Sequence, residues 1–151
     1  MTADQQELLF HRVVGAAPDL VFACLTDPDH LTAFWGPKGT TSPRESIEVD
    51  LRAGGVFTTL MVSDHDGSSY RMRAVYDEVD PPRRLAWTDV DTGLHTTVTF
   101  EDLGDGRTAV DIRQTHLPPG IRAPEAQAGF LSSLDRFDDH LADIASGRAS
   151  R

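Results

Sequence analysis

The stretch PEAQAGFLSSLDRFDDHLADIASG, residues 124–147, decides how the rest of the chain must be arranged. Phe130, Leu134, Phe137, Leu141 and Ile144 recur at spacings of four, three, four and three, which predicts a long helix with a single apolar stripe. Pro124 and Glu125 suit its first turn and Gly147 its end. Asp135, Arg136, Asp138, Asp139 and Asp143 occupy most of the other faces, so the helix must lay its stripe on something large and apolar. Asp135, Asp138, Asp139 and Asp143 read as a solvated acidic face, or less readily as a docking surface for a basic partner.

The segments before it supply that surface. Leu8 to Val14 reads as a first strand, stopped by Gly15-Ala16-Ala17-Pro18. Pro18 and Asp19 open a short helix with Val21, Phe22 and Leu25 on one face. Thr26-Asp27-Pro28-Asp29 caps a second, which carries His30, Leu31 and Phe34 and ends at Trp35-Gly36-Pro37. From residue 45 the period becomes two. Ile47, Val49 and Leu51 alternate with charges, and Val56 to Val62, Tyr70 to Val79, Arg84 to Asp89, Leu94 to Glu101 and Thr108 to Thr115 follow as strands. Arg52-Ala53-Gly54-Gly55, Asp66-Gly67, Asp80-Pro81-Pro82-Arg83, Asp91-Thr92-Gly93 and Gly104-Asp105-Gly106 are the turns between them. The expected architecture is α+β: a curved antiparallel sheet of about seven strands wrapped on a long C-terminal helix, with two short helices after the first strand. A sheet gripping one helix leaves a cavity between them.

The 151 residues predict one domain, with an ordered core over about 8–145 and looser ends at 1–6 and 146–151. A net charge of −10 disfavours nucleic acid and anionic membranes as partners. No apolar run approaches the ~20 residues of a membrane span, and the polar, acidic N-terminus is unlike a signal peptide. A lone cysteine, Cys24, forms no intramolecular disulfide and is expected in a reducing cytoplasm.

The ordered series Ala17-Pro18, Val21-Phe22, Thr26-Asp27-Pro28, Leu31, Phe34-Trp35-Gly36-Pro37, Asp50-Leu51-Arg52-Ala53-Gly54-Gly55-Val56-Phe57, Met61, Asp66-Gly67, Pro81-Pro82-Arg83-Arg84-Leu85 and Val98-Thr99-Phe100-Glu101 resembles the activator of heat-shock protein 90 ATPase homologue-like family. That family lies in the START-like, helix-grip (SRPBCC) superfamily, and the resemblance spans residues 8–145. It implies a single START-like domain with a hydrophobic cavity. Relatives in the superfamily bind lipids, sterols, plant hormones or polyketides, act as aromatase/cyclases, or sacrifice themselves to enediyne antibiotics; the namesake branch stimulates a chaperone ATPase. Where the family often has Trp-Trp this chain has Phe34-Trp35, and where it often has Gly-Trp in the terminal helix this chain has Gly129-Phe130. Both keep aromatic bulk while reshaping the cavity mouth.

The expected ligand-binding residues are Phe57, Met61, Tyr76, Trp87, Phe100, Gln114, His116, Phe130 and Phe137. The aromatics and Met61 would supply contact area, or serve simply as core. Alternation places His116 on the face of Val110, Ile112 and Gln114, so Gln114 and His116 would orient a ligand; the plainer reading of His116 is a strand-end residue bonded to a backbone carbonyl. Were the cavity that of a cyclase- or hydrolase-type enzyme, His116 would be the acid–base group and Tyr76 a proton donor or oxyanion stabiliser. No nucleophile elbow, phosphate-binding loop or dinucleotide motif is present, so no cofactor is expected. His11, His30, His65, His95, His116 and His140 show no H-x-x-x-H spacing and Cys24 joins no Cys/His cluster along the chain, so no metal is expected either. Cys24 reads as a small hydrophobe and Arg71 and Arg73 as surface charges. The reading is therefore a cytoplasmic binder of an apolar or aromatic small molecule. A homodimer is left open, and a chaperone partner is the less favoured alternative.

Overall fold

The computed structural model describes residues 7–149. The expectations for residues 1–6 and for Ser150 and Arg151 lie outside the described residues. β1 (Glu7–Val14) leads through α1 (Pro18–Thr26) and α2 (Pro28–Phe34) into β2 (Thr40–Thr41), a 3-10 turn at Arg44–Ser46 and β3 (Glu48–Val49). An antiparallel meander follows: β4 (Val56–Ser63), β5 (Ser69–Asp80), β6 (Arg84–Asp89), β7 (His95–Gly104) and β8 (Arg107–Thr115). α3 (Pro124–Ala145) closes the fold. The sheet runs β1-β8-β7-β6-β5-β4-β2, with β3 also on β4, so the first and last long strands lie side by side.

The expected architecture is the observed one, with two differences around residues 40–51. The alternation of Ile47, Val49 and Leu51 yields only the two-residue β3, because the chain spends Arg44–Ser46 in a 3-10 turn and Arg52–Gly55 in a tight turn through the left-handed Gly54. β2 is an added two-residue strand. Gly55 is required where it stands: a Cβ there would fall 2.0 Å from the Asp50 carbonyl oxygen.

Asp27 organises the helical corner. It ends α1, its N–H bonding the Ala23 carbonyl, and it caps α2, its carboxylate accepting the Asp29 N–H. The α3 stripe buries Leu134, Phe137, Leu141 and Ile144 against the sheet and α2, each worth about 1.5–3 kcal/mol of apolar burial. Residues 146–149, expected to be loose, are tied in: the N–H groups of Arg148 and Ala149 both bond the Asp143 carbonyl, and Ala149 packs on the core.

The acidic α3 face is only partly solvated. Alternation along β1 points Leu8, Phe10, Arg12 and Val14 inward, and Arg12 donates from Nη1 to Asp135 (3.2 Å) and Asp138 (2.6 Å). The helix carboxylates thus clamp the edge strand to α3 rather than awaiting a basic partner.

Candidate ligand cavity

Between sheet and α3 lies a cavity of about 520 Å³. The sheet supplies its floor through inward positions of five strands: Met61, Met72, Trp87, Thr96, Val98, Val110, Ile112 and Gln114. α3 supplies its roof through Ala126, Gly129, Phe130, Ser133, Leu134 and Phe137, and Phe34 to Pro37 form one end. Phe130 is held by Phe10, ring centroids 4.6 Å apart, and Phe137 by Phe34 at 5.0 Å. The half-exposed Tyr70, with Asp89 and Thr92, stands at the mouth. Burial, with the carboxylates of Asp89 and Asp91, raises the Tyr70 phenol above its usual range.

One row of cross-strand partners crosses the floor: Trp87 opposite Thr96, and Thr96 opposite Gln114. Its middle and end carry the polar groups. Gln114 is 6 % exposed and Thr96 4 %, yet among the described residues neither side chain has a hydrogen-bond partner, nor does the Trp87 indole N–H. Buried polar side chains are normally satisfied; this amide and this hydroxyl instead open onto the cavity, where they are able to bond water or a ligand. Several other polar lining groups are already engaged: Arg12 with α3, Ser133 with the Gly129 carbonyl, Asp89 with the backbone N–H groups of Asp91 and Thr92.

The loop at the cavity end is built tightly. Gly36 has φ +99° and a Cβ there would lie 2.7 Å from Thr40 Oγ1. Arg136 reaches from α3 to donate to the carbonyls of Gly36 (2.9 Å), Pro37 (3.1 Å) and Thr40 (3.2 Å). Burial lowers its pKa from the usual arginine value.

Of the residues expected to form the site, Met61, Trp87, Gln114, Phe130 and Phe137 line the cavity. Phe57, Tyr76 and Phe100 do not. Phe57 lies flat on Tyr76 (5.6 Å, 1° between planes) and takes Trp35 and Trp87 edge-on, which seals both rings into the core. Phe100 is covered by Phe22 of α1 at 5.4 Å. The expected inward position of His116 is corrected: β8 ends at Thr115, His116 takes φ +55°, and its exposed ring lies 6.4 Å from His95. His95 belongs to the outer face, beside Asp77 and Thr88. Alternation fails one residue beyond the strand because the left-handed φ of His116 swings its own Cβ out of the pleat of β8.

His116 and Tyr76 are therefore not brought together. The Tyr76 hydroxyl is buried without a partner and burial alone raises its pKa, which suits a core ring rather than a proton donor. Thr96, Val98, Val110 and Ile112 line the cavity as well, and the alternation that points Gln114 inward points them inward too. Trp35 and Pro37 carry no periodic signal.

The expectation that Cys24 joins no Cys/His cluster is also corrected. Cys24, His30 and His140 are buried together, the Cys24 Sγ and one ring nitrogen of each histidine all within 4.8 Å of one another. Burial, with the Asp27 carboxylate second, pushes the Cys24 thiol up to about 12, and burial and His30 lower the pKa of His140.

The model of one protein family, described as activator of Hsp90 ATPase homolog 1-like protein, matches residues 15–142. The chain belongs to this family. The START-like helix-grip fold expected from the sequence is thus the fold observed. Among solved structures, a protein of Chromobacterium violaceum is 27 % identical, covering 88 % of this chain and 95 % of its own, with a TM-score of 0.80. An AHSA1 protein of Silicibacter pomeroyi is 25 % identical over 90 % of this chain and 97 % of its own, with a TM-score of 0.73. An AHSA1-like protein of Aeromonas hydrophila shares the fold at 20 % identity, covering 96 % of each chain, with a TM-score of 0.79. Comparison with curated proteins gives no match. Among the described residues no helix is long and apolar enough to cross a membrane.

Proposed function

We propose that this family member binds a small, mostly apolar molecule carrying one hydrogen-bonding group, held between the sheet and α3. The observation that carries this reading is the unpartnered Gln114 carboxamide, with the Thr96 hydroxyl beside it, in an otherwise apolar cavity of about 520 Å³. That volume falls in the range of roughly 300–1,000 Å³ typical of small-molecule sites. Trp87, Phe130, Phe137 and Met61 give the contact area; Gln114 offers both a donor and an acceptor and orients the polar end. An enzymatic use of the cavity draws no support from His116 and Tyr76, which do not meet across it. The family description names a chaperone activator; the cavity, not the surface, carries the reading preferred here.

The test is native mass spectrometry of gently purified protein against its denatured mass, followed by titration of the stripped protein with 1-anilinonaphthalene-8-sulfonate. The expected result is a retained mass lost on denaturation, or one dye bound and displaced competitively by apolar alcohols, acids or amides. Protein that retains nothing and binds no dye overturns the reading.

A further inference from the structure

Outside the cavity, three side chains with metal-binding chemistry converge where α1, α2 and α3 meet. Cys24 lies in the last turn of α1, His30 in the first turn of α2, and His140 near the end of α3. The Asp27 corner turns the chain so that the first two share one side, and α3 brings the third from 110 residues away. His30 Nδ1 and His140 Nε2 are 3.0 Å apart, and neither ring makes another hydrogen bond among the described residues. Phe34 stacks on His140 at 5.6 Å and 28°, fixing that ring. The thiol is fully buried, while each histidine keeps 7 % exposure, so the cluster sits one layer beneath the surface.

We propose that Cys24, His30 and His140 form a buried binding site for one thiophilic metal ion, of the Cu⁺ or Zn²⁺ class. One thiolate and two imidazoles are a donor set that soft and borderline ions select. Bonds of about 2.0–2.1 Å to nitrogen and 2.3 Å to sulfur bring such donors ~3.3–3.8 Å from one another. The observed spread, up to 4.8 Å, brackets this, and side-chain rotation of the order of half an ångström closes it. On binding, the Cys24 S–H bond breaks, its proton passes to solvent, and a sulfur–metal bond forms with no change of oxidation state. The hydrogen bond between the histidines is exchanged for two nitrogen–metal bonds: the ring that donates it gives up that proton and takes one from solvent on its far nitrogen, while the accepting ring already carries its proton there. Cu⁺ with one thiolate is uncharged and needs no fourth donor; Zn²⁺ retains one positive charge and takes a water. The carboxylates of Asp27 and Asp143, near enough to act on Cys24 and His140, favour a cation there in either case.

The experiment uses full-length, tag-free, chelator-stripped protein under reducing, oxygen-free conditions. Cu⁺ is titrated in competition with a chromophoric chelator, and Co²⁺ serves as the spectroscopic substitute for Zn²⁺. The expected result is one equivalent of at least one ion, with a thiolate-to-Co²⁺ band in the Co²⁺ arm if the Zn²⁺ class is preferred. Because Cys24 is the chain's only cysteine, alkylation in mild denaturant reads the site directly in the wild-type protein, and bound metal should slow it at least about tenfold. In a folded Cys24→Ala variant, binding should weaken by about a hundredfold or more. Wild-type protein that takes up neither ion, a thiol whose alkylation is indifferent to metal, or Cys24→Ala protein that binds undiminished through its surface histidines would each overturn the proposal. None of these readouts involves the cavity.

Discussion

Thr96 and Gln114 stand opposite each other in the β7–β8 ladder, both buried, both facing the cavity and both without a partner among the described residues. Their polar atoms open onto the cavity rather than into sealed core, so the amide costs the empty protein stability only as far as water there leaves it incompletely hydrated, and it would bond a ligand that replaced that water.

Gln114→Leu separates these two contributions. It replaces the amide with an apolar group of similar length, so the empty protein should gain about 1 kcal/mol in urea unfolding. Affinity for a ligand with a polar head should fall about fivefold, the equivalent of one net hydrogen bond. A variant that is less stable and binds as tightly as wild type would remove Gln114 from the anchoring role.

Arg136 should govern the cavity end. Truncation to Ala frees the carbonyls of Gly36, Pro37 and Thr40 at once. The expected loss is about 1–2 kcal/mol of stability, with amide exchange across residues 36–41 accelerated roughly tenfold and faster ligand release. Unchanged exchange in that loop would show that its own Thr40–Pro37 hydrogen bonds suffice.

Asp138 sets a pH dependence. Burial raises its carboxyl above the usual range, more than Arg12 lowers it; Asp135 and Asp139 add to the rise, and Oδ1 is buried without a partner. A carboxyl whose pKa is higher folded than unfolded holds its proton longer in the native state. Its stabilising effect is complete below the unfolded value of ~3.9 and is lost as pH rises through the folded one. The melting temperature of wild type relative to Asp138→Asn should therefore fall as pH rises through that window and level off above it. Asp135 remains to pair with Arg12 in the variant. A difference that grows with pH would show that the Arg12 ion pair outweighs burial.

Much of the fold is local information. Pro18, Asp27 and Pro28 mark helix starts whichever way the helices pack, and the Asp66-Gly67 and Gly104-Asp105-Gly106 turns join strands whose alternation is plain. Even the α3 stripe, by its length, called for a sheet to cover. Cavity residues were legible to the extent that they lie inside regular elements: Gln114, Trp87, Met61, Phe130 and Phe137 follow from register and helical spacing. Phe57, Tyr76 and Phe100 share the inward register equally well, and no pattern along the chain tells a ring facing a void from one faced by another ring.

Sequence alone determined the order of the long elements and the apolar face of each, because these depend on backbone preferences and residue periods that act over a few positions; the family followed from the resemblance of an ordered series of motifs. Tertiary structure decided which inward residues meet empty space, that Arg12 is claimed by Asp138, that His116 turns outward at a left-handed strand end, and that Cys24 and His30 meet His140. Each of these is a contact between elements. Its occurrence depends on sheet twist and on where α3 crosses, and periodicity within a segment reports which way a side chain points, not what stands at the end of it.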